Sequence, residues 1–321
     1  MKAVTCHAFG PLDDLRVEEQ DNPTATGRQV VLRVEAAGIN YPDGLLVQGL
    51  YQMKPPCPFV PGMEAAGEVI AIGPEVQGVK VGDRLGAIPQ LGGYAEQVAV
   101  DERATFPIGD ADAAEVCALM VAYGTSHHAL KQRAQLQAGE TLLVLGAAGA
   151  TGLAAVQIGK LMGAKVIAVA STTEKQQIAR DAGADEVIGY DALRDDVKRL
   201  TDGKGVDVAF DVVGGDVFDT CTRVMARNGR LLVIGFASGE IPKFPVNLAL
   251  VKEFAVVGVF WGNFTKAEPQ VYGANMMELM NWYRKGQIKP LIEGRYPLAQ
   301  APEVLARILN RGAVGKLVLV P

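Results

Sequence analysis

The stretch that decides the fold is Thr141-Leu142-Leu143-Val144-Leu145-Gly146-Ala147-Ala148-Gly149-Ala150-Thr151-Gly152, followed by Leu153-Ala154-Ala155-Val156-Gln157-Ile158-Gly159-Lys160-Leu161. The apolar run reads as a buried strand, the glycine cluster as a tight turn, and the last segment as a helix. Glycines let a backbone turn sharply and approach a ligand with no Cβ in the way. The free N–H groups and dipole at a helix start favour negative charge. The order strand, turn, helix fits the G-x-G-x-x-G arrangement that seats a dinucleotide pyrophosphate. Gly149 and Gly152 take its second and third positions and Ala147 its first. The bland alternative is a plain strand-to-helix turn, and the surrounding chain weighs against it.

Working outward, further apolar runs at 165–170, 186–188, 206–211, 230–234 and 254–260 alternate with amphipathic helical segments. Six strands joined by crossover helices predict an α/β, doubly wound six-stranded parallel sheet, because parallel neighbours require a crossover and strands covered on both faces read as continuous apolar runs. Upstream the rhythm differs. Short β-type runs at 29–36, 67–73 and 94–100 are punctuated by Gly78, Gly82-Asp83-Arg84 and Gly92-Gly93, which predicts a mostly β domain with tight hairpins. A helical stretch spans 111–136. Beyond the parallel sheet, helices are predicted at 270–285 and 302–310 and a strand at 315–320, a tail too short to fold alone. The expected plan is therefore a substrate domain from 1–122 together with 263–321, and a cofactor domain at 123–262.

Composition agrees with two globular cores: the 321 residues are 49% hydrophobic and 21% charged. A net charge of -5 gives no electrostatic reason to bind nucleic acid or an anionic membrane, so a small-molecule partner fits better. No apolar run approaches the roughly 20 residues of a membrane span, and the start lacks a signal-like stretch, so a cytoplasmic location is expected. Cys6, Cys57, Cys117 and Cys221 have no C-x-x-C spacing, which leaves no basis for a disulfide framework or a thiolate zinc site.

The end of the second parallel strand bears on which dinucleotide binds. An Asp or Glu there accepts from the ribose 2′-hydroxyl of NAD. Here it reads Ser171-Thr172-Thr173-Glu174-Lys175. Ser171 stands where the acid would be, and hydroxyls beside a lysine suit a 2′-phosphate, so NADPH is expected over NADH. Glu174 is the counter-reading, but it also suits the first turn of the next helix, capped by Thr172 or Thr173.

Several short motifs carry a resemblance: Ala37-Gly38-Ile39-Asn40-Tyr41-Pro42-Asp43, Gly49-Leu50-Tyr51, Pro61-Gly62-Met63-Glu64-Ala65-Ala66-Gly67-Glu68-Val69, Val81-Gly82-Asp83-Arg84, Gly92-Gly93-Tyr94-Ala95-Glu96 and Gly183-Ala184-Asp185. With the glycine turn, they make the chain resemble the zinc-independent quinone oxidoreductase branch of the medium-chain dehydrogenase/reductase superfamily. That resemblance implies a GroES-like first domain beside a Rossmann domain. Zinc alcohol dehydrogenases of the superfamily place a Cys and a His where this chain has Asn40 and Met63, so no metal is expected. His7 lies near the N-terminus, and His127 and His128, adjacent on a helix, point about 100° apart.

The resemblance further implies cofactor contacts from Thr125, Gly149, Ala150, Thr151 and Gly152, from Ser171, Lys175 and Tyr190 at the 2′-phosphate, from Gly235 and Phe236 beside the nicotinamide, and from Asn310 and Lys316. In such an enzyme, hydride passes to an electron-poor acceptor that the protein positions. Asn40 and Tyr51 are the candidate catalytic residues, as donors to the substrate, with a helix cap and a surface-packed ring as the bland alternatives. Tyr41 and Asp43 are secondary candidates, Asp43 equally suiting a helix start. Phe236, Trp261 and Phe264 serve either as pocket walls or as core. The activities consistent with the sequence are NADPH-dependent reduction of a quinone, the same chemistry on an activated C=C bond (an enone or 2-haloacrylate), and cofactor binding without turnover. The apolar sixth strand, at a sheet edge, predicts a homodimer through edge pairing.

Overall fold

The computed structural model describes residues 1–321 and divides them into two units, Met1–Val121 with Leu291–Pro321, and Ala122–Pro290. In the first, β1 (Lys2–Thr5) and β2 (Arg16–Glu19) form an antiparallel pair. The spine of this unit is β3 (Gln29–Gly38), along which Val30, Leu32 and Val34 face the core. α1 (Tyr41–Val47) follows it directly. One edge of β3 pairs antiparallel with β4 (Ala65–Ile72), which leads through β5 (Arg84–Ala87) to the outer strand β7 (Thr105–Pro107). β6 (Gln97–Asp101) takes the first half of the other edge, from Gln29 to Arg33. The predicted runs at 29–36, 67–73 and 94–100 fall on β3, β4 and β6, whose alternating pattern reflects one buried face.

The predicted helix over 111–136 is real but interrupted. α2 (Ala113–Ala118) widens at Leu119–Tyr123 into a turn with i to i+5 bonding, α3 (Gly124–His128) resumes, and a second wide turn follows at Ala129–Arg133. Such turns insert one extra residue and are invisible to apolar periodicity.

The second unit is the parallel sheet the sequence predicts. Its chain order is β8 (Thr141–Leu145), α4 (Ala150–Leu161), β9 (Lys165–Val169), α5 (Thr173–Asp181), β10 (Glu186–Ile188), α6 (Leu193–Leu200), β11 (Val206–Asp211), α7 (Asp216–Val224), β12 (Met225–Val233), α8 (Asn247–Lys252) and β13 (Ala255–Gly258). The strands lie in the order β10-β9-β8-β11-β12-β13, every neighbouring pair parallel. The order reverses at β8, so the glycine turn sits at the topological switch point, where doubly wound sheets bind ligands. β12 begins before the predicted 230, and β13 is shorter than predicted because Phe254 turns into the core and Phe260 leads into α9 (Trp261–Ala267).

Residues 263–290, placed with the substrate domain on sequence, group with the parallel-sheet unit instead. The cause is side-chain contact from α9 and α10 (Pro269–Arg284) onto α3. His128 stacks on Phe264 with ring centres 3.8 Å apart, His127 lies 5.5 Å from Trp282, and Gln132 and Asn275 exchange hydrogen bonds of 3.0 and 3.2 Å. The chain returns to the first unit through β14 (Ile292–Pro297), α11 (Ala301–Leu309) and β15 (Lys316–Val320). β15 is parallel to β14 and pairs antiparallel with Ala37 and Gly38 at the end of β3. No helix is long and apolar enough to cross a membrane.

Candidate active site

The glycine turn divides its work among three residues. Gly146, at φ +62°, makes the left-handed bend that a side chain rarely adopts. The fingerprint assigned that tight-turn position to Ala147; the structure moves the bend one residue earlier, and Ala147 instead lies buried with its amide donating to Val169 O at 3.1 Å. At Gly152, a Cβ would stand 2.8 Å from Ala147 Cα and closer still to the Gly146 carbonyl oxygen, so only glycine lets α4 approach the strand end. Gly149 is different. It is the N-cap of α4 at φ -76°, ψ 163°, with no side chain capping the helix, and a Cβ there would meet nothing nearer than Gly146 O at 3.5 Å. Space left open at an uncapped helix start, with amides of 150–152 beyond it, suits a pyrophosphate in shape and charge.

Around this turn the chain is braced. Ser126, in α3, donates to Thr151 O at 2.8 Å and so ties Thr125's neighbour to the first turn of α4. The Tyr190 hydroxyl accepts from the Gly146 amide at 3.0 Å. The sequence placed Tyr190 at a 2′-phosphate; its hydroxyl is engaged at the glycine turn, because the residue leaves β10 on a path that spans β9 to the end of β8. Ser171 is exposed just past β9, and Thr172 caps α5 by accepting from the Lys175 amide at 3.2 Å, which places Glu174 in the helix's first turn. Gly235 and Phe236 follow β12, where the Ile234 amide bonds Asp211 O at 2.9 Å. Asp211 was not anticipated. Buried at the end of β11, its Oδ1 accepts from the amides of Val213 (2.7 Å) and Gly214 (2.9 Å), and burial raises its pKa despite those bonds. Trp261 and Phe264 settle as core: Trp261 lies against Gly124 and edge-on to Tyr272, and Phe264 lies on His128.

The other concentration of chemistry is a buried polar network within the first unit. Asn40 Nδ2 donates to Glu64 Oε1 at 2.9 Å, and its Oδ1 accepts from the Lys316 ammonium at 2.7 Å. Lys316 also pairs with Glu64 Oε1, and Glu64 Oε2 accepts from the Val121 amide at 2.9 Å. Lys316 is 2% exposed and Glu64 0%. Gly38 makes room for them, since a Cβ there would lie 2.7 Å from Glu64 Cδ and 2.8 Å from Lys316 Cε. On the other side of Asn40, its amide and the Tyr94 hydroxyl donate to Asp43 Oδ2 at 2.9 and 2.7 Å. Burial pushes the Asp43 carboxyl up to about 6, the Tyr94 hydrogen bond opposing. Tyr51 is half-buried against the same core, and burial, then the Asp43 charge, raise its pKa.

Two expectations change here. Lys316, assigned to the cofactor, spends its ammonium on Asn40 and Glu64. Asn40, assigned to the substrate, has both side-chain polar groups engaged inside the network. Glu64 and Tyr94 were quoted in motifs on sequence but not recognised as site residues. The usable signal was steric: Gly62 and Gly93 flank them, and a Cβ on Gly62 would fall 2.6 Å from Tyr94 Cδ1. Asn310 is exposed at the C-cap of α11, and Tyr41 opens α1 half-buried.

The donor set does not fit a zinc ion. An ammonium already sits among Asn40 and Glu64, Met63 supplies only a thioether, and a cation would be repelled at that point. No group of three or more His, Cys, Asp or Glu side chains is arranged to hold a metal ion. His7 faces Glu18 and His127 faces Glu278.

A six-stranded parallel sheet with a glycine turn at its switch point defines a dinucleotide-binding enzyme class. The chain matches the family models of the alcohol dehydrogenase GroES-like domain over residues 26–110 and of the zinc-binding dehydrogenase over 150–282. It is 40% identical to the quinone oxidoreductase-like protein 2 homolog of Nematostella vectensis, covering 99% of this chain and 88% of that one. A Pseudomonas syringae quinone oxidoreductase structure is 30% identical, with a TM-score of 0.93 over 100% of this chain and 99% of that one. An Escherichia coli quinone oxidoreductase structure complexed with NADPH is 26% identical, with a TM-score of 0.93 over 100% of both chains. The chain belongs to the medium-chain dehydrogenase/reductase superfamily, in its quinone oxidoreductase-like branch, and is an oxidoreductase.

Proposed function

We propose that this enzyme uses NADPH, without zinc, to reduce a quinone. The observation that carries the cofactor reading is the open space at Gly149, over an uncapped helix start at the switch point of the sheet. Choice of NADPH follows from the end of β9, where Ser171 is exposed and Lys175 stands in the first turn of α5, with no acid at the ribose-binding position. Relatives named quinone oxidoreductases, one of them holding NADPH, support the same reading.

In this scheme Gly149, Ala150, Thr151 and Gly152 hold the pyrophosphate through backbone amides, and Ser171 and Lys175 hold the 2′-phosphate. Thr125, Gly235 and Phe236 lie toward the nicotinamide half. NADPH, when bound, supplies a hydride. Tyr51 gives the accompanying proton, as a hydroxyl kept protonated by burial and by the charge on Asp43. Asn40, held by Glu64 and Lys316, shapes that side of the site. The Lys316 ammonium already sits among Asn40 and Glu64, where a metal cation would be repelled, so in this scheme the reaction relies on position and polarity alone.

A second copy of the chain is proposed as the partner. β13 is an edge strand, and α8 beside it exposes Leu250 and Val251 at 78% and 71%, an apolar surface that sheet-edge pairing would cover.

The test is NADPH oxidation at the nicotinamide absorbance band with 1,4-benzoquinone, 9,10-phenanthrenequinone, an enone and a 2-haloacrylate in separate reactions. Turnover with the quinones supports the reading. Turnover confined to the enone or haloacrylate replaces it with C=C reduction, and bound NADPH with no oxidation by any acceptor refutes catalysis altogether.

A further inference from the structure

Asp211 ends β11 with its side chain turned into the protein, 1% exposed. Its Oδ1 accepts from the amides of Val213 at 2.7 Å and Gly214 at 2.9 Å. The main-chain oxygen of the same residue accepts from the amides of Ile234 and Gly235 at 2.9 and 3.4 Å. One residue therefore roots two loops, the turn after β11 and the segment after β12. Beyond it the loops are laced together by Ala237 N to Val212 O at 3.0 Å, Ser238 N to Val213 O at 2.9 Å and Gly215 N to Glu240 O at 3.1 Å.

Gly214, at φ +67°, is where this framework meets Phe236. A Cβ there would lie 2.9 Å from Phe236 Cδ1 and 3.0 Å from Glu240 O, so the half-buried phenyl ring rests on the glycine that Asp211 Oδ1 holds. On the near side, a Cβ on Gly146 would lie 2.9 Å from Val212 Cγ2, so the paired loops abut the glycine turn. β9 and β11 flank β8 on opposite sides. A dinucleotide lying across this switch point, with its adenosine beside Ser171 and Lys175 after β9, puts its other half on the β11 side, along the loops that Asp211 roots.

We propose that Asp211 is a positioning residue for hydride transfer: it fixes Gly214, and through Gly214 the Phe236 ring, as the wall that orients the nicotinamide. The proposal rests on the reading of the glycine turn as an NADPH site. Asp211 itself exchanges no proton or electron. Its contribution is to hold a ring steady, and a hydride donor misplaced by about 1 Å can lose about a hundredfold in rate. The adenosine half, held from the other side of the switch point, does not depend on it.

The experiment compares wild type, Asp211→Ala, Asp211→Asn, Gly214→Ala, Phe236→Ala and the double variant Asp211→Ala/Phe236→Ala, all as the full chain. Calorimetry measures binding of NADPH and of adenosine 2′,5′-bisphosphate, which has the 2′-phosphate and no nicotinamide, and NADPH oxidation by 1,4-benzoquinone gives kcat. Asp211→Ala should weaken NADPH about tenfold and lower kcat at saturating NADPH by about tenfold or more, with the bisphosphate within about twofold of wild type. Asp211→Asn keeps an oxygen acceptor and should recover most of both losses. Phe236→Ala should reproduce the Asp211→Ala pattern, and the double variant should be little worse than either, because the two act along one route. Gly214→Ala drives a methyl group into the ring's place without touching the carboxyl, which keeps the test decisive should Asp211→Ala fail to fold. A folded Asp211→Ala or Gly214→Ala with wild-type NADPH affinity and kcat overturns the proposal. So does equal weakening of NADPH and the bisphosphate, which marks a general loss of structure, and so does a double variant whose losses simply add. A wild type that binds no NADPH is a different result: it refutes the cofactor reading, and the role of Asp211 falls with it.

Discussion

Alanine at Gly149 and alanine at Gly152 should have opposite effects, although the two glycines are three residues apart in one turn. At Gly152 the new Cβ would lie 2.8 Å from Ala147 Cα and closer to the Gly146 carbonyl oxygen, and both obstacles are backbone. No flexible side chain can move aside, so α4 must shift from the strand end. Overpacking of this kind costs about 1–3 kcal/mol, more than the roughly 1 kcal/mol that alanine gains over glycine inside a helix. For a chain of this size each kcal/mol lowers Tm by about 2–4 °C, so Gly152→Ala should melt several degrees early. At Gly149 the backbone is already extended, and the nearest atom to a Cβ is 3.5 Å away. Folding should change by no more than about 0.5 kcal/mol. The methyl group would nevertheless occupy the space assigned to the pyrophosphate, and loss of even about 1.4 kcal/mol there weakens NADPH tenfold. Thermal unfolding with and without NADPH reads both effects in one assay. Gly149→Ala should keep its apo Tm and lose the NADPH-induced rise. A Gly149→Ala protein that binds NADPH like wild type would refute the placement of the cofactor. A Gly152→Ala protein of undiminished Tm would refute the packing argument.

Lys175→Ala should weaken NADPH by about ten- to a hundredfold, the worth of a charged hydrogen bond, and leave NADH nearly untouched; equal loss for both would remove Lys175 from the 2′-phosphate. Lys316→Met strands the buried Glu64 carboxylate and should cost about 3–5 kcal/mol in urea unfolding, with Glu64→Gln on the same chain restoring much of it. Finding Lys316→Met as stable as wild type would mean the pair carries no net burial penalty. Leu250→Asp combined with Val251→Asp should turn a dimer into a monomer in sedimentation, and a wild type that already sediments as a monomer sinks the edge-pairing proposal.

What could be read from sequence was whatever is encoded over a few neighbouring residues. The strands Thr141–Leu145 and Val206–Asp211 fall where their apolar runs predict, because burial on both faces keeps most of each run apolar. Glu186–Ile188 falls where predicted although it lies at the sheet edge with Glu186 exposed. Thr172 was one of two caps weighed, and its spacing to Lys175 is local too. Less legible were features that depend on distant partners. Lys316 reaches Asn40 across 276 positions, and nothing beside either residue announces the other. The grouping of 263–290 with the parallel sheet turns on ring contacts such as His128 with Phe264, which no periodicity encodes. Tyr190 was read as closing its strand beside the end of the next, and the bond its hydroxyl accepts from the Gly146 amide could not be read in advance, since the direction of a side chain after a strand depends on the loop that carries it.

The buried network in the first unit also has a mechanical side. The chain leaves that unit after Val121 and re-enters at Leu291. Val121 donates its amide to Glu64, and the Leu291 carbonyl accepts from the Lys316 amide at 2.8 Å. Both crossings are thus fastened to the two halves of one ion pair. The hydrogen bonds from Glu64 and Lys316 to Asn40 therefore join the two points where the chain leaves and re-enters this unit to the single residue that starts α1.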